Sequence, residues 1–517
     1  MKDSRTKNSI RNIVWGFFNK IINIILPFIT RTALIYYIGL NYVGLNTLFV
    51  SVLGVLSLAE LGFGTAIIYA LYKPVAENDY SRINRILNFY RKCYRIIGVS
   101  ILTLGLAIFP FIKYFINGDV PNDININVLY FIYLFNTVIS YFLFSYKESI
   151  LIANQRNDIK SNIYTILQFL QYSIQLILII CFRNYYVYII VLPLTTIMIN
   201  IVLSIYVNKN FKEIKCEGDL SSEEKRELFK NVKGMIFQKI GTVILNSVDS
   251  IVISAFLGLS ILSIYSNYYL IITSLFGVLS VVISSIIPSV GNAVVSKSVE
   301  ENYKDFKKFN LGYIWILSWF SICLLCLYQS FMKIWLKNDS FVVSNDIMIL
   351  FVMYFYFFKW FDMNYVYQEA IGLWWDNRFI PLIASIINLI INLTLVKFIG
   401  VAGILISTIV SVVFVYDVGY VVVLFKKYFK ISPKEYLIRQ LYYLFIAVIV
   451  GILSYVLCEV VTFDIYISFV LKCIIVLVVP NILFLLFWNK LEDFNFIREL
   501  LEKIKKNGIN KKNKKDN

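Results

Sequence analysis

The chain has 517 residues, of which 59% are hydrophobic, 17% are aromatic and 16% are charged, and its mean hydropathy is +0.72. This composition excludes a soluble globular protein and indicates a polytopic membrane protein. Lys and Arg number 49 against 32 Asp and Glu, and histidine is absent, so histidine-based catalysis, metal ligation and proton relay are excluded.

The first apolar stretch, residues 12–39, is repeated further along the chain at residues 231–258. The two stretches align without a gap at an offset of 219 residues. Identical pairs include Asn12/Asn231, Phe18/Phe237, Lys20/Lys239, Ile21/Ile240, Leu26/Leu245, Gly39/Gly258 and Leu40/Leu259. The sequence therefore predicts an internal duplication whose unit begins with a membrane-spanning helix.

Each copy of this helix carries a polar stripe on one face, because residues 3, 4, 7 and 11 apart lie within a narrow sector of a helix. The stripe comprises Lys20, Asn23, Pro27 and Arg31 in the first copy and Lys239, Thr242, Asn246, Asp249 and Ser250 in the second. A charge near the bilayer centre costs about 2.5–3.5 kcal/mol, so we expect the stripe to face a protein interior or a water-filled cavity. For the two lysines, the alternative is that they extend to the lipid headgroups.

Fourteen apolar stretches are long enough to span a bilayer, which needs about 20 residues. In chain order they are 12–38, 43–71, 94–116, 127–152, 161–182, 185–207, 234–257, 262–290, 310–332, 346–370, 379–399, 401–425, 437–459 and 465–488. Lys and Arg concentrate in alternate connections, as they do in cytoplasmic loops. This distribution predicts cytoplasmic termini and explains the basic charge without nucleic-acid binding.

The repeat continues past its first helix, because Tyr80 and Tyr90 align with Tyr303 and Tyr313 at an offset of 223. Six spans per copy give both copies the same orientation, which predicts an all-α fold with two pseudo-symmetric six-helix lobes across a central cavity. The predicted domains are the first lobe at 1–207, a cytoplasmic linker at 208–233, the second lobe at 234–427, and a helix pair with a basic cytoplasmic tail at 428–517.

The predicted linker contains a helix start. Ser221 and Glu224 have the spacing of a capping box, in which each side chain caps the other's backbone N–H. Basic residues follow with a weak apolar side, so we expect an interfacial helix on the anionic inner leaflet.

Further polar residues interrupt other apolar stretches. Glu60 lies in the second span, and Lys359 and Asp362 lie in the tenth, three residues apart and near mid-membrane. An ion pair between Lys359 and Asp362 would lower the insertion cost. Asn388 and Asn392 are four residues apart and are expected to join two helices through hydrogen bonds. The single charges Asp417 and Lys472 receive no role.

The sequence lacks the patterns that mark enzymes and cofactor proteins. Cys323 and Cys326 form a C-x-x-C pair inside an apolar helix with no partners nearby in the sequence, which favours ordinary helix packing over metal binding. No glycine-rich phosphate loop is present, so we expect no ATP hydrolysis by that route, no cofactor and no metal. A duplicated helical bundle with charges inside is typical of a transporter.

Three short segments carry a resemblance to a known family. They are Ile38-Gly39-Leu40-Asn41-Tyr42-Val43-Gly44-Leu45, Leu56-Ser57-Leu58-Ala59-Glu60-Leu61-Gly62-Phe63-Gly64-Thr65-Ala66 and Leu71-Tyr72-Lys73-Pro74-Val75-Ala76. They resemble the polysaccharide biosynthesis flippases of the Wzx type, in the superfamily of the multidrug and toxin extrusion transporters (MATE) and the lipid II flippase. The resemblance extends over the whole chain in helix count and lobe organisation.

The resemblance implies a protein of the bacterial plasma membrane that moves undecaprenyl-pyrophosphate-linked oligosaccharides, for a capsule, an O-antigen or another surface polysaccharide, to the outer leaflet by alternating access. The implied partners are the lipid-linked glycan, membrane lipids, a polysaccharide polymerase and glycosyltransferases. The candidate substrate-binding residues are Arg31, Lys239, Lys359, Lys20 and Asn246, and the candidate ion-coupling residues are Asp249, Asp362 and Glu60.

Two other functions compete with this one. A cation-coupled multidrug exporter would need an acidic, apolar pocket, whereas a non-transporting scaffold of a polysaccharide synthesis complex would need no charges along a cavity. Arg31, deep in an apolar helix, disfavours both.

Overall fold

Helices make up all the regular secondary structure of the residues that the computed structural model describes, which are 22–60, 62–118, 120–489, Leu491 and Phe494. In chain order they are α1 (Ile22–Tyr37), α2 (Asn41–Leu56), α3 (Phe63–Glu77), α4 (Tyr80–Ile108), α5 (Ile126–Phe142), α6 (Glu148–Ala153), α7 (Asn157–Phe182), α8 (Tyr185–Ile189), α9 (Val191–Asn210), α10 (Ser222–Leu257), α11 (Leu259–Ser296), α12 (Val299–Leu336), α13 (Asn345–Lys359), α14 (Asp362–Ile371), α15 (Trp374–Asn377), α16 (Ile380–Ile399), α17 (Val401–Ser411), α18 (Val418–Leu424), α19 (Lys434–Glu459) and α20 (Ile465–Trp488). The all-α prediction is confirmed.

Ten helices of the described chain are long and apolar enough to cross a membrane, and α5 with Ser145–Ala153, bent by 51°, would make eleven. The protein is therefore a multi-pass membrane protein. The predicted count of fourteen is not reached by this measure in the described residues. Part of the first predicted span lies outside them, and the second and tenth are divided into shorter helices.

Both divisions have local causes. In the second predicted span, α2 ends at Leu56, a 3₁₀ turn follows at Ser57–Glu60, and α3 begins at Phe63. Gly62, just before α3, has φ of 79°, a left-handed conformation that favours glycine. The tenth is interrupted at Trp360 and Phe361, between α13 and α14. Hydropathy is continuous across both breaks, so apolar length alone did not reveal them.

The contacts divide the chain into two units. Unit 1 comprises the described residues up to Leu270 together with Arg378–Ser407, and unit 2 comprises Ile271–Asn377 with the described residues from Thr408 onward. Helix α16 therefore belongs to unit 1, where it packs closely along α10. The lobe and linker boundaries expected from the duplication stay a prediction.

Helix α10 begins where the capping box predicts. The Ser221 hydroxyl accepts a hydrogen bond from the Glu224 N–H, and the Ser221 N–H donates to the Glu224 carboxylate at 2.9 Å, which lowers the pKa of Glu224. The helix then continues without a break to Leu257. The predicted interfacial helix and the seventh span are thus one helix in the structure, because no proline or left-handed residue separates them.

Helices α10 and α16 approach each other at backbone distance. A Cβ atom added to Gly241 would lie 2.2 Å from the carbonyl carbon of Pro381 and 2.3 Å from the Leu382 nitrogen. Membrane helices achieve such approaches with small residues at the contact. Gly241 therefore fixes how closely α16 packs on α10.

We predict that Gly241→Ala destabilises the protein by about 1–3 kcal/mol, because the added methyl group meets backbone atoms that cannot move aside independently. The measurement is the thermal unfolding temperature of the purified full-length protein in detergent. The control is Gly312→Ala, where an added Cβ has no heavy atom within 4 Å and helix propensity improves. Equal unfolding temperatures for the two variants would contradict the close contact.

Candidate functional site

Arg31 lies on α1 and is held by the start of α11. Its Nη1 donates to the Ser266 carbonyl at 2.8 Å and to the Asn267 side-chain oxygen at 3.5 Å. Tyr185 and Tyr188 lie near enough to interact electrostatically with it. Its Nε and Nη2 make no hydrogen bond within the described part of the chain, so the contacts with Ser266 and Asn267 engage only one edge of the guanidinium.

The polar stripe predicted for α10 divides in the structure. Lys239 and Asn246 are exposed, and Asn246 donates to the Thr242 carbonyl of its own helix at 2.9 Å. Asp249 is buried, with 5% of its surface exposed. Two of the predicted residues thus lie on an accessible face, whereas Asp249 points into the packing of unit 1.

Asp249 belongs to a buried polar cluster in unit 1, which comprises Asp249, Asn388, Asn392 and Ser407. Asn392 Nδ2 donates to the Asp249 carboxylate at 2.7 Å and to Asn388 Oδ1 at 3.1 Å, and the Ser407 hydroxyl donates to Asn392 Oδ1. The expectation that the two asparagines join helices is confirmed. The cluster joins α10, α16 and α17 through side-chain oxygens and amides.

Glu60 lies at the end of the 3₁₀ turn before Gly62. Its two carboxylate oxygens accept hydrogen bonds from Tyr94 and Tyr141, each at 3.1 Å, and Tyr90 donates to the Tyr94 hydroxyl at 2.6 Å. The break in the span therefore places a carboxylate among tyrosine hydroxyls supplied by α4 and α5.

In unit 2, Lys359 and Asp362 form the predicted ion pair at 3.1 Å across the break between α13 and α14. Lys359 is the last residue of α13 and Asp362 the first of α14, so each charge also complements the dipole of its own helix. Tyr313 of α12 donates to the same Asp362 oxygen at 3.0 Å, and the Lys359 ammonium lies 5.1 Å from the centre of the Phe276 ring.

The predicted site residues thus fall into separate groups. Arg31, Lys239, Asn246, Asp249 and Glu60 belong to unit 1, and Lys359 and Asp362 belong to unit 2. Lys20 lies outside the described residues. The prediction that the three cations Arg31, Lys239 and Lys359 line one cavity stays a prediction.

Asp417, to which the sequence assigns no role, is buried beside the Lys359–Asp362 pair. The contact between Asp249 and Asn392 is not visible in the sequence either, because 143 residues separate them. The available signals were a carboxylate in an apolar stretch and two asparagines one helical turn apart.

Comparisons with known proteins agree on family and fold. Residues 9–294 match the family model described as polysaccharide biosynthesis protein. The fold is similar to that of the lipid II flippase MurJ, with a TM-score of 0.69, 15% identity, and coverage of 92% of this chain and 98% of that one. No curated protein matches the sequence.

Two further solved structures share the fold. One is an inward-facing multidrug resistance MATE family transporter of the MOP superfamily, with a TM-score of 0.57, 12% identity, and coverage of 78% of this chain and 93% of that one. The other is a MOP superfamily transporter from Pyrococcus furiosus, with a TM-score of 0.55, 13% identity, and coverage of 84% and 100%. The resemblance inferred from the sequence is confirmed, and because the family match covers more than half of the chain, this multi-pass membrane protein belongs to the polysaccharide biosynthesis protein family.

Proposed function

We propose that the protein is a flippase that moves undecaprenyl-pyrophosphate-linked oligosaccharide units of a surface polysaccharide from the inner to the outer leaflet of a bacterial plasma membrane by alternating access. Membership of the polysaccharide biosynthesis family supports this proposal. The fold shared with a protein named as a lipid II flippase also supports it.

The observation that carries the proposal is the arrangement around Arg31. A pyrophosphate headgroup is an anion that must cross hydrocarbon, and the guanidinium fork binds such an anion through two parallel hydrogen bonds. The hold of Ser266 and Asn267 on Nη1 fixes the fork in place, so less side-chain entropy is lost on binding. A pocket that binds apolar or cationic drugs would not be stabilised by the positive charge of the Arg31 guanidinium.

The three lysine candidates differ in how well they could bind the anionic headgroup. Lys239 is exposed on α10 and has no ion partner in the described residues, so it is the second candidate for the anionic headgroup, with Asn246 on the same face for a sugar hydroxyl. Lys359 is already neutralised by Asp362 and therefore offers a ligand less net charge. Lys20 is a candidate for substrate binding only because it aligns with Lys239 in the sequence repeat.

The energy for transport has two possible sources. An anionic headgroup leaving a negative-inside cell gains about 2.3 kcal/mol per charge per 100 mV. Coupling to H⁺ or Na⁺ instead needs an acidic residue that changes its exposure during the cycle, and Asp249 is our first candidate. Its cluster offers the Asn388, Asn392 and Ser407 oxygens beside one carboxylate, which are donors suited to a hard monovalent cation.

We predict that Arg31→Ala lowers the initial rate of translocation by about ten-fold or more, because a charge-assisted hydrogen bond of about 1.5–3 kcal/mol is lost. Arg31→Lys should keep a fraction of the rate, since the charge remains and the fork does not. The measurement uses proteoliposomes with a fluorescent undecaprenyl-pyrophosphate-linked oligosaccharide and an impermeant reagent that reacts only with glycan on the outer surface.

The control for Arg31 is Arg95→Ala, an exposed arginine in the same unit, which should leave the rate unchanged. Unfolding temperatures of all three variants establish that each one is folded. A normal rate in Arg31→Ala would make Arg31 a structural residue. If the wild-type protein moves glycan to the outside no faster than protein-free liposomes do, the flippase proposal is wrong.

We predict that Asp249→Asn removes most of the dependence of the translocation rate on an ion gradient, while binding of the lipid-linked glycan stays within a few-fold. The amide keeps the size of the side chain but loses the negative charge, so it no longer binds H⁺ and binds Na⁺ more weakly. The rate is measured with imposed pH, Na⁺ and voltage gradients in turn. If the variant responds to every gradient as the parent does, the membrane potential acting on the headgroup becomes the simpler account.

A further inference from the structure

A second interruption in unit 2 involves the apolar helix that runs from Val401 to Phe429. Between α17 and α18 this helix adopts a π-helical stretch, Val412–Asp417, and such stretches are frequent at functional sites. Asp417, its last residue, has only 5% of its surface exposed. An acidic residue thus lies inside the packing of unit 2, at a place where the backbone departs from regular α-helix.

Asp417 lies beside the break between α13 and α14. Both Asp362 and Lys359 interact with it electrostatically. Titratable groups from every neighbouring helix face this region: Lys359 and Asp362 at the break, Tyr365 on α14, Tyr313 on α12, Tyr436 on α19, and Tyr416 and Tyr420 beside Asp417 on its own helix. Together with Asp417 itself, they include two aspartate carboxyl groups and one ammonium.

The ion pair and the tyrosine hydrogen bond in this cluster go to the Asp362 carboxylate and not to that of Asp417. Asp362 pairs with Lys359 at 3.1 Å and accepts from Tyr313 at 3.0 Å. Tyr436 accepts from Asn364 at 2.8 Å. Asp417 Oδ2, in contrast, is buried and accepts no hydrogen bond from the described residues. The one lysine is therefore committed to Asp362, and Asp417 lacks an equivalent partner.

A negative charge on Asp417 would then be poorly compensated. An uncompensated buried charge is strongly unfavourable, and two carboxylates close together do not both ionise readily. A proton removes that charge without needing space or ligands. A metal ion is disfavoured, because the Lys359 ammonium already occupies the vicinity and no group of three or more metal-ligating side chains occurs in the described residues.

We propose that Asp417 and Asp362 form a proton-binding site with Lys359, in which the proton resides on Asp417 while Lys359 pairs with Asp362. On release, the O–H bond of the Asp417 carboxyl group breaks, the proton passes to water or buffer, and the electron pair stays on the carboxylate. Lys359 is then drawn towards two carboxylates instead of one. Since Lys359 and Asp362 end and begin their helices, this exchange acts on the break between α13 and α14.

The site rests on the proposed function only for its role in transport, since proton binding is a property of the isolated protein. It is distinct from the Asp249 cluster, which belongs to unit 1. A proton bound at Asp417 would make the translocation rate depend on the pH of the medium in the absence of any gradient, even where Asp249 has been replaced.

The test is infrared spectroscopy of the purified full-length protein over a pH series, which detects the C=O stretch of a protonated carboxyl group. We expect such a band at neutral pH, its loss on alkalisation, and its absence in Asp417→Asn. The control is Asp376→Asn, which removes a carboxylate paired with Lys427 at 3.1 Å and should leave the band intact. Lys359→Met should make the band persist to pH values higher by about one unit or more, because an ammonium that favours the ionised form is gone.

The Lys359→Met variant keeps the test decisive if Asp417→Asn fails to fold. No band in the wild-type protein, or a band unchanged in Asp417→Asn, would overturn the proton site. Stabilisation of the wild-type protein by Na⁺ that disappears in Asp417→Asn would replace the proton by a metal ion and also overturn it. A confirmed band in a protein that does not translocate glycan lipid would instead refute the proposed function and leave the proton site standing.

Discussion

The structure depends on one constraint: a charged group inside an apolar helix needs a local partner. Lys359 and Asp362 meet this constraint at the break between α13 and α14, where each also complements a helix dipole. Glu60 meets it beside Gly62, where Tyr94 and Tyr141 donate to the carboxylate. At these two sites, the interruption of a span is the place where charged groups enter the apolar part of the protein.

In both units, tyrosine hydroxyls donate hydrogen bonds to the carboxylate at the break. The sequence repeat pairs Tyr90 with Tyr313, and each belongs to a carboxylate–tyrosine network within its own unit. Tyr313 donates directly to Asp362, whereas Tyr90 donates to Tyr94, which in turn donates to Glu60. The duplication itself stays a prediction. In unit 2 the second acid, Asp417, is buried and has no hydrogen bond to its Oδ2 from the described residues, which is why we propose the proton site there.

Local patterns were read correctly from the sequence. Composition indicated the membrane class, the Ser221 capping box marked the start of α10, and three-residue spacing predicted the Lys359–Asp362 pair. All of these depend on residues close together in the chain, whose geometry in a helix is fixed. The family resemblance, carried by residues 38–76, was also correct.

The remaining features depend on conformation or on distant residues. Hydropathy does not register the left-handed Gly62 or the π-helical stretch before Asp417, so two spans appeared continuous and one acid appeared isolated. Periodicity placed Asp249 in a stripe with Lys239, but α16 covers Asp249 and leaves Lys239 exposed. The difference in burial between Asp249 and Lys239 depends on where α16 packs along α10, and a single sequence contains no direct signal of that packing.

The central claim is that the protein recognises a pyrophosphate-linked lipid. The most direct test is native mass spectrometry of the purified protein with undecaprenyl-pyrophosphate-linked oligosaccharide, in competition with the corresponding monophosphate lipid and with lipophilic cationic drugs. The account predicts that the pyrophosphate lipid binds in preference to the monophosphate, is not displaced by the drugs, and loses affinity in Arg31→Ala. Binding of the drugs with no competition from the pyrophosphate lipid would contradict it and favour a drug exporter.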